Sequence, residues 1–136
     1  MRSIKQIKNL KGKRILLRVD FNVPIKNGRV LDDFRIKASL STIKFLQKKG
    51  VKIILITHLS KGGDTLSPVS RALAKFVKVR FISSIIGPEV SLAVNNMKNG
   101  DILLLDNLRS DKREQEPDKA FAKALSGFGD IYVNEA

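Results

Sequence analysis

Short apolar runs alternate along the chain with stretches of helical periodicity. Residues 13–19 (KRILLRV), bounded by Gly12 and Pro24, read as a buried strand. A turn follows at Lys26-Asn27-Gly28. Asp32 or Asp33 then caps a helix whose inward face is Ile36, Leu40, Ile43 and Gln47, widened by Ala38 and Leu46. Lys48-Lys49-Gly50 suits its end, with cations beside the carbonyl terminus and a glycine for a left-handed cap. Residues 51–57 (VKIILIT) predict a second strand that feeds a polar loop over 58–64. Ser67 as a cap, with Pro68 first in the helix, begins a second helix continued by Val69, Leu73 and Phe76. A third, shorter strand is predicted over 78–82. Gly87-Pro88-Glu89 opens a third helix through Val90, Ala93, Val94 and Met97, ended by Gly100. Residues 101–105 (DILLL) form the fourth strand. A charged loop over 106–116, a helix over 117–125 with Phe121, Ala124 and Leu125 inward, and a fifth strand over 130–133 complete the series.

One helix between successive strands implies right-handed crossovers and a parallel sheet covered on both faces, a Rossmann-like three-layer α/β sandwich. The chain stops just after its fifth strand, so the sheet is expected to be incomplete at its C-terminal edge. Ligands of such sheets bind outside the carboxyl ends of the strands. That rule selects Asp20-Phe21-Asn22, Thr57-His58, Asp106-Asn107-Leu108-Arg109 and Asn134-Glu135 as the polar residues to weigh.

Composition removes several classes. With 136 residues the chain fits one domain, and with no Cys there are no disulfides and no Cys-rich metal sites. One His and no Cys speak against zinc. No apolar run reaches the ~18–20 residues of a membrane span, and no signal-peptide stretch opens the chain, so a cytoplasmic protein is expected. The net charge is +13, and it is uneven: residues 1–50 carry 14 Lys+Arg against 3 Asp+Glu, the rest 12 against 10. The basic first third suits nucleic acid, an acidic surface or a polyanionic small molecule as partner. Neither G-x-G-x-x-G nor G-x-x-x-x-G-K-[ST] occurs, nor a G-x-S-x-G elbow, so dinucleotide, Walker-type and hydrolase sites lack their signatures.

A different set of phrases is present. Residues 11–24 (KGKRILLRVDFNVP) resemble the opening of phosphoglycerate kinases. Asp32-Asp33-Phe34-Arg35-Ile36-Lys37-Ala38, Thr57-His58-Leu59, Gly87-Pro88-Glu89-Val90, residues 103–109 (LLLDNLR) and residues 129–136 (GDIYVNEA) follow in that family's order and spacing. The resemblance runs from about Ile4 to Ala136 and implies the glycerate-binding amino-terminal domain, residues 1–136, of a two-domain kinase, carboxy-terminally truncated. The family moves a phosphoryl group between 1,3-bisphosphoglycerate with MgADP and 3-phosphoglycerate with MgATP. The resemblance places the nucleotide on a carboxyl domain absent from this chain, so no cofactor or metal is expected to bind here and the chain alone is expected not to turn over.

The resemblance implies substrate contacts by Asp20, Asn22, Arg35, His58, Leu59, Ser60, Lys61 and Arg109, with Arg35 catalytic. The ligand's phosphate and carboxylate call for cationic partners, and its hydroxyl for an acceptor or amide, which Asp20 and Asn22 supply. Arg35 falls in the first turn of its helix, where a cation opposes the helix dipole, and that placement against local stability hints at function. In the family the matching Arg stabilises charge on the phosphoryl group in transfer. His58 is expected to help hold the non-reacting phosphate, and Arg109 to contact phosphate through two parallel bonds.

The chain also departs from the pattern. Where the family has Gly-Arg-Pro after His-Leu, this chain has Ser60-Lys61-Gly62, which keeps a charge but loses the guanidinium fork. Ser110 replaces an aromatic beside Arg109. The expected partners are the small-molecule substrate and the missing domain, with no membrane, and nucleic acid is disfavoured. The rival readings are a basic module for nucleic acid or acidic surfaces, suggested by the charge, and a glycerate-phosphate-binding pseudoenzyme, suggested by the altered loop.

Overall fold

The computed structural model describes residues 9–57, 65–84, 87–106 and 127–135. Five parallel strands form the central sheet: β1 (Arg14–Arg18), β4 (Lys52–Ile56), β5 (Arg80–Ile82), β6 (Ile102–Leu105) and β7 (Ile131–Asn134). Their order is β5-β6-β4-β1-β7. In register, Arg14 lies opposite Lys52, Ile53 opposite Ile102, and Leu16 opposite Tyr132. The α/β reading of the pattern is the observed one, and each strand starts one or two residues later than its apolar run suggests. The ladder begins only where both neighbours can pair.

Both faces of the sheet are buried. Ile15, Leu17, Ile53, Leu55, Ile102 and Leu104 point to one side, against helix α1 (Phe34–Lys48) and helix α2 (Ser67–Leu73). Leu16, Ile54, Ile56, Leu103 and Leu105 point to the other, against Val90, Ala93, Val94 of helix α3 (Pro88–Asn95) and Met97 beyond it. This is the two-sided burial that makes parallel strands read as continuous apolar runs.

The local chemistry sets the boundaries. Lys26-Asn27-Gly28 is more than a turn. Strands β2 (Ile25–Lys26) and β3 (Arg29–Val30) pair antiparallel around Asn27 and Gly28, whose φ values of 52° and 73° are those of a type I′ hairpin. Asp33 occupies the N-cap of α1 without a side-chain bond, while Asp32 Oδ1 accepts the Phe34 N–H at 3.0 Å. Ile36, Ile43 and Leu46 form the buried stripe, with Leu40 and Gln47 half-buried. Ala38 is exposed, so it does not widen that face. It lies two residues from Ile36, about 200° round the helix. At the other end Gly50 (φ 74°) closes a Schellman motif: Gly50 N–H donates to Gln47 O and Val51 N–H to Leu46 O.

Two further expectations are corrected. Ser67 is the first helical residue of α2 and not its cap; Leu66 holds that position. The helix ends at Leu73, and Phe76 follows in turns closed by Phe76 N–H to Leu73 O. Met97 likewise lies past the end of α3 while still packing beneath it. The helix expected over 117–125 and the loops over 58–64 and 107–116 lie outside the described residues.

Candidate active site

The carboxyl ends of β1 and β4 build the described part of the site. The ladder bond from Val19 N–H to Ile56 O is the last between these strands. One step on, the Thr57 hydroxyl takes over from the main chain and accepts the Phe21 N–H at 3.0 Å. Thr57 is 1% exposed, and the Phe21 side chain is fully buried. The segment Asp20-Phe21-Asn22 is therefore pinned at its middle residue, and the two polar residues flanking Phe21 stay half-buried at the surface.

Those flanking residues form a compact arrangement. Asp20 Oδ1 accepts the Asn22 N–H at 3.1 Å, an Asx-type turn. The same oxygen receives Arg35 Nη1 at 3.2 Å, and Nη1 also donates to Asn22 O at 2.9 Å. Arg35 reaches across from the first turn of α1, a turn with no acidic residue. The pair is half exposed, with side-chain accessibilities of 50% for Arg35 and 46% for Asp20. Exposed pairs of this kind contribute about 0–1 kcal/mol, so the contact orients more than it stabilises. Nη1 makes both bonds, and among the described residues Nη2 and Nε are unengaged. A guanidinium neutralised by one carboxylate thus still offers donors to an incoming anion.

The other strand ends serve the frame. Asp106, after β6, accepts the Leu66 N–H at 2.9 Å and the Thr65 hydroxyl at 3.3 Å, which fixes the entry to α2. After β7, Glu135 N–H donates to Arg18 O at 2.8 Å, and its carboxylate accepts the Thr42 hydroxyl of α1 at 2.9 Å.

Of the residues selected from sequence, Asp20, Asn22 and Arg35 come together. His58, Leu59, Ser60, Lys61 and Arg109 lie outside the described residues. Sequence reasoning passed over Thr57 as a clamp and Asp106 as a helix anchor. The available signal was a polar residue ending an otherwise apolar run, which inside a sheet must find a partner. Among the described residues no three metal-ligating side chains gather, and no helix is long and apolar enough to cross a membrane.

Comparison with known proteins gives a consistent result. The family model "Phosphoglycerate kinase" matches residues 4–136. The phosphoglycerate kinase of Dictyoglomus turgidum is 47% identical over 135 residues, which cover 94% of this chain and 34% of that protein. That of Borrelia hermsii is 44% identical over 144 residues, covering 98% and 37%. The crystal structure of phosphoglycerate kinase from Pyrococcus horikoshii OT3 superposes with a TM-score of 0.91 at 31% identity, covering all of this chain and 36% of that one. The structure from Coxiella burnetii gives 0.79 at 28% identity, covering 98% and 34%. The chain thus spans about a third of the length of the relatives it matches.

Proposed function

The chain belongs to the phosphoglycerate kinase family, and from that membership we propose that it is the amino-terminal, glycerate-binding part of such an enzyme, which binds 3-phosphoglycerate or 1,3-bisphosphoglycerate and does not turn over alone. The observation that carries the reading is the convergence of Asp20, Asn22 and Arg35 at the carboxyl edge of the sheet, where ligands of parallel sheets bind.

The chemistry assigns the roles. A carboxylate beside an anionic ligand is repulsive, unless it is neutralised and given a hydrogen bond to accept. The Arg35 contact supplies the neutralisation, and the ligand hydroxyl supplies the bond. Asn22 orients the same hydroxyl. Arg109, His58 and Lys61 hold the phosphate, and Leu59 and Ser60 complete the set of substrate contacts. Arg35, with Nη2 and Nε unengaged, faces the acyl oxygen and the phosphoryl group in flight, where a fixed donor stabilises charge that develops only in the transition state.

MgADP or MgATP supplies or receives the phosphoryl group in the family. The described donor set does not fit that group: Asp20 is committed to Arg35 and Asn22, and Asp106 to the α2 entry.

Calorimetric titration of 3-phosphoglycerate into the chain tests the reading. The expected result is weak, saturable binding that falls about 10- to 100-fold in Arg109→Ala, the loss of a charge-assisted hydrogen bond to phosphate. Absence of saturation, or equal affinity in the variant, overturns it.

A further inference from the structure

The charge of this chain is divided between the two ends of the sheet, and the glycerate site uses only one of them. The described carboxylates crowd the carboxyl end: Asp20, Asp32, Asp33, Glu89, Asp106 and Glu135 all follow strands or start helices there. Arg18, Arg35 and Lys37 accompany them there, whereas the amino end is almost wholly basic. Lys11, Lys13 and Arg14 lead into β1, and Lys48, Lys49 and Lys52 surround the turn from α1 into β4. Lys78 precedes β5, Arg80 opens it, and Lys98 precedes β6. Backbone bonds hold these segments together: Gly12 N–H to Gly50 O, Lys52 N–H to Lys13 O, and Gly100 N–H to Val51 O.

Only Asp101 and Asp130 answer these nine cations among the described residues of that end, and both are already engaged by the main chain. Asp101 Oδ2 accepts the Lys98 N–H at 2.8 Å, and Asp130 Oδ2 accepts the Arg14 N–H at 2.9 Å. Among the described residues neither makes a side-chain ion pair; the described ion pairs are Arg35–Asp20 and Lys37–Asp33, both elsewhere. Arg14 donates to Asn95 Oδ1, and Lys49 lies over the Phe45 ring. The remaining cations face solvent, Lys52 partly covered, and pair with no carboxylate among the described residues.

From these observations we propose that the amino end of the sheet is a binding surface for the phosphate backbone of double-helical nucleic acid, independent of base sequence. The spacing fits: three inter-strand steps of about 4.8 Å carry the cations about 14 Å from β5 to β1, comparable with the ~12 Å width of a major groove. The composition fits as well. Gln47, Asn96 and Asn99 line a cleft with Lys78 and Arg80, and amides beside cations are suited to phosphate and sugar. Among the described residues no large apolar side chain at this end is fully exposed, and Phe45, Phe76 and Phe128 are half-buried there. Leu31 and Phe34 lie by the start of α1, Leu92 midway along α3, and Tyr132 on β7. The described residues of this face therefore offer a bilayer no fully exposed wedge to bury, and single strands no fully exposed aromatic on which to stack.

The test is fluorescence anisotropy of a labelled duplex of about 20 base pairs, titrated with the whole chain at several salt concentrations. A Kd of roughly 10⁻⁶ M or tighter is expected at about 50 mM salt, weakening steeply as salt rises. Lys13→Glu with Lys98→Glu should weaken binding at least tenfold and reduce the salt slope by about two, near 0.9 for each lost phosphate contact. Lys26→Glu with Arg29→Glu makes the same change of net charge in the hairpin and should stay within about threefold of the parent. No binding at about 10⁻⁵ M, equal loss in both double variants, or a preference for phosphatidylserine vesicles over the duplex each overturns the proposal.

Discussion

Thr57 is the one buried polar or charged side chain among the described residues, and its hydroxyl is the sole described partner of the Phe21 N–H. Thr57→Val keeps the shape and strands that buried donor, which costs about 1–3 kcal/mol. Urea unfolding should show the loss as a lower midpoint with an unchanged slope, and Thr57→Ser should recover most of it. A valine variant as stable as the parent would mean that the hydroxyl does not hold the loop. Arg35 should behave in the opposite way. Its ion pair is half exposed, so Arg35→Ala should move the melting temperature very little. In a chain completed by a nucleotide-holding domain, the same variant should lower kcat by roughly 10²–10³ and leave the glycerate KM within a few-fold. Steady-state kinetics in which KM alone changed would remove Arg35 from its catalytic role.

The elements were legible wherever periodicity or a capping signal was strong. Strands β1 and β4 have apolar centres with a cation at one or both ends, β6 is wholly apolar, and α1 carries both its stripe and its Gly50 terminator. The hairpin was not, because two-residue strands are too short to show alternation and its only mark is the pair Asn27-Gly28. The caps of α2 failed for a related reason. Ser67 looks like a cap locally, but Asp106, 40 residues away in sequence, takes the Leu66 N–H and moves the helix start. Likewise, Asp20, Asn22 and Arg35 were separately visible as polar residues at strand and helix ends, while their mutual contact depends on how α1 docks. The hairpin gives a test at this scale. Gly28 has φ 73°, and an added Cβ would meet nothing nearer than Arg71 Nη2 at 3.8 Å. Gly28→Ala therefore meets a conformational penalty without a clash, about 1–2 kcal/mol. Hydrogen exchange should report it as faster opening at the Lys26–Arg29 pairing and at Arg71, whose Nη2 donates to Gly28 O. Unchanged exchange would mean that the turn does not set the pairing.

For the whole molecule, net charge and stability are coupled through the polarised ends of the sheet. A chain with a net charge of +13 is self-repelling. The repulsion is concentrated where Arg14 and Lys52 are register partners on neighbouring strands and Lys13 and Lys49 lie close by. The strands that carry them are about 5 Å apart, well inside the ~10 Å Debye length of 0.1 M salt, and screening becomes effective only as that length shrinks towards ~3 Å at 1 M. Unfolding relieves the repulsion by separating the cations, so low salt should favour the unfolded chain. Sodium chloride raised from about 0.02 M to about 0.5 M should therefore raise the melting temperature by a few degrees, which for a domain of this size corresponds to about 1 kcal/mol. The opposing effect, screening of favourable pairs, is small because the described ion pairs are exposed and close to neutral in worth. Lys13→Glu with Lys98→Glu should flatten the dependence, since it replaces repulsion at the amino end with attraction. Differential scanning calorimetry at fixed pH measures both curves. A parent melting temperature that is flat or falling with salt would show that the cations at that end are compensated in solution, and it would count against their availability to a polyanion.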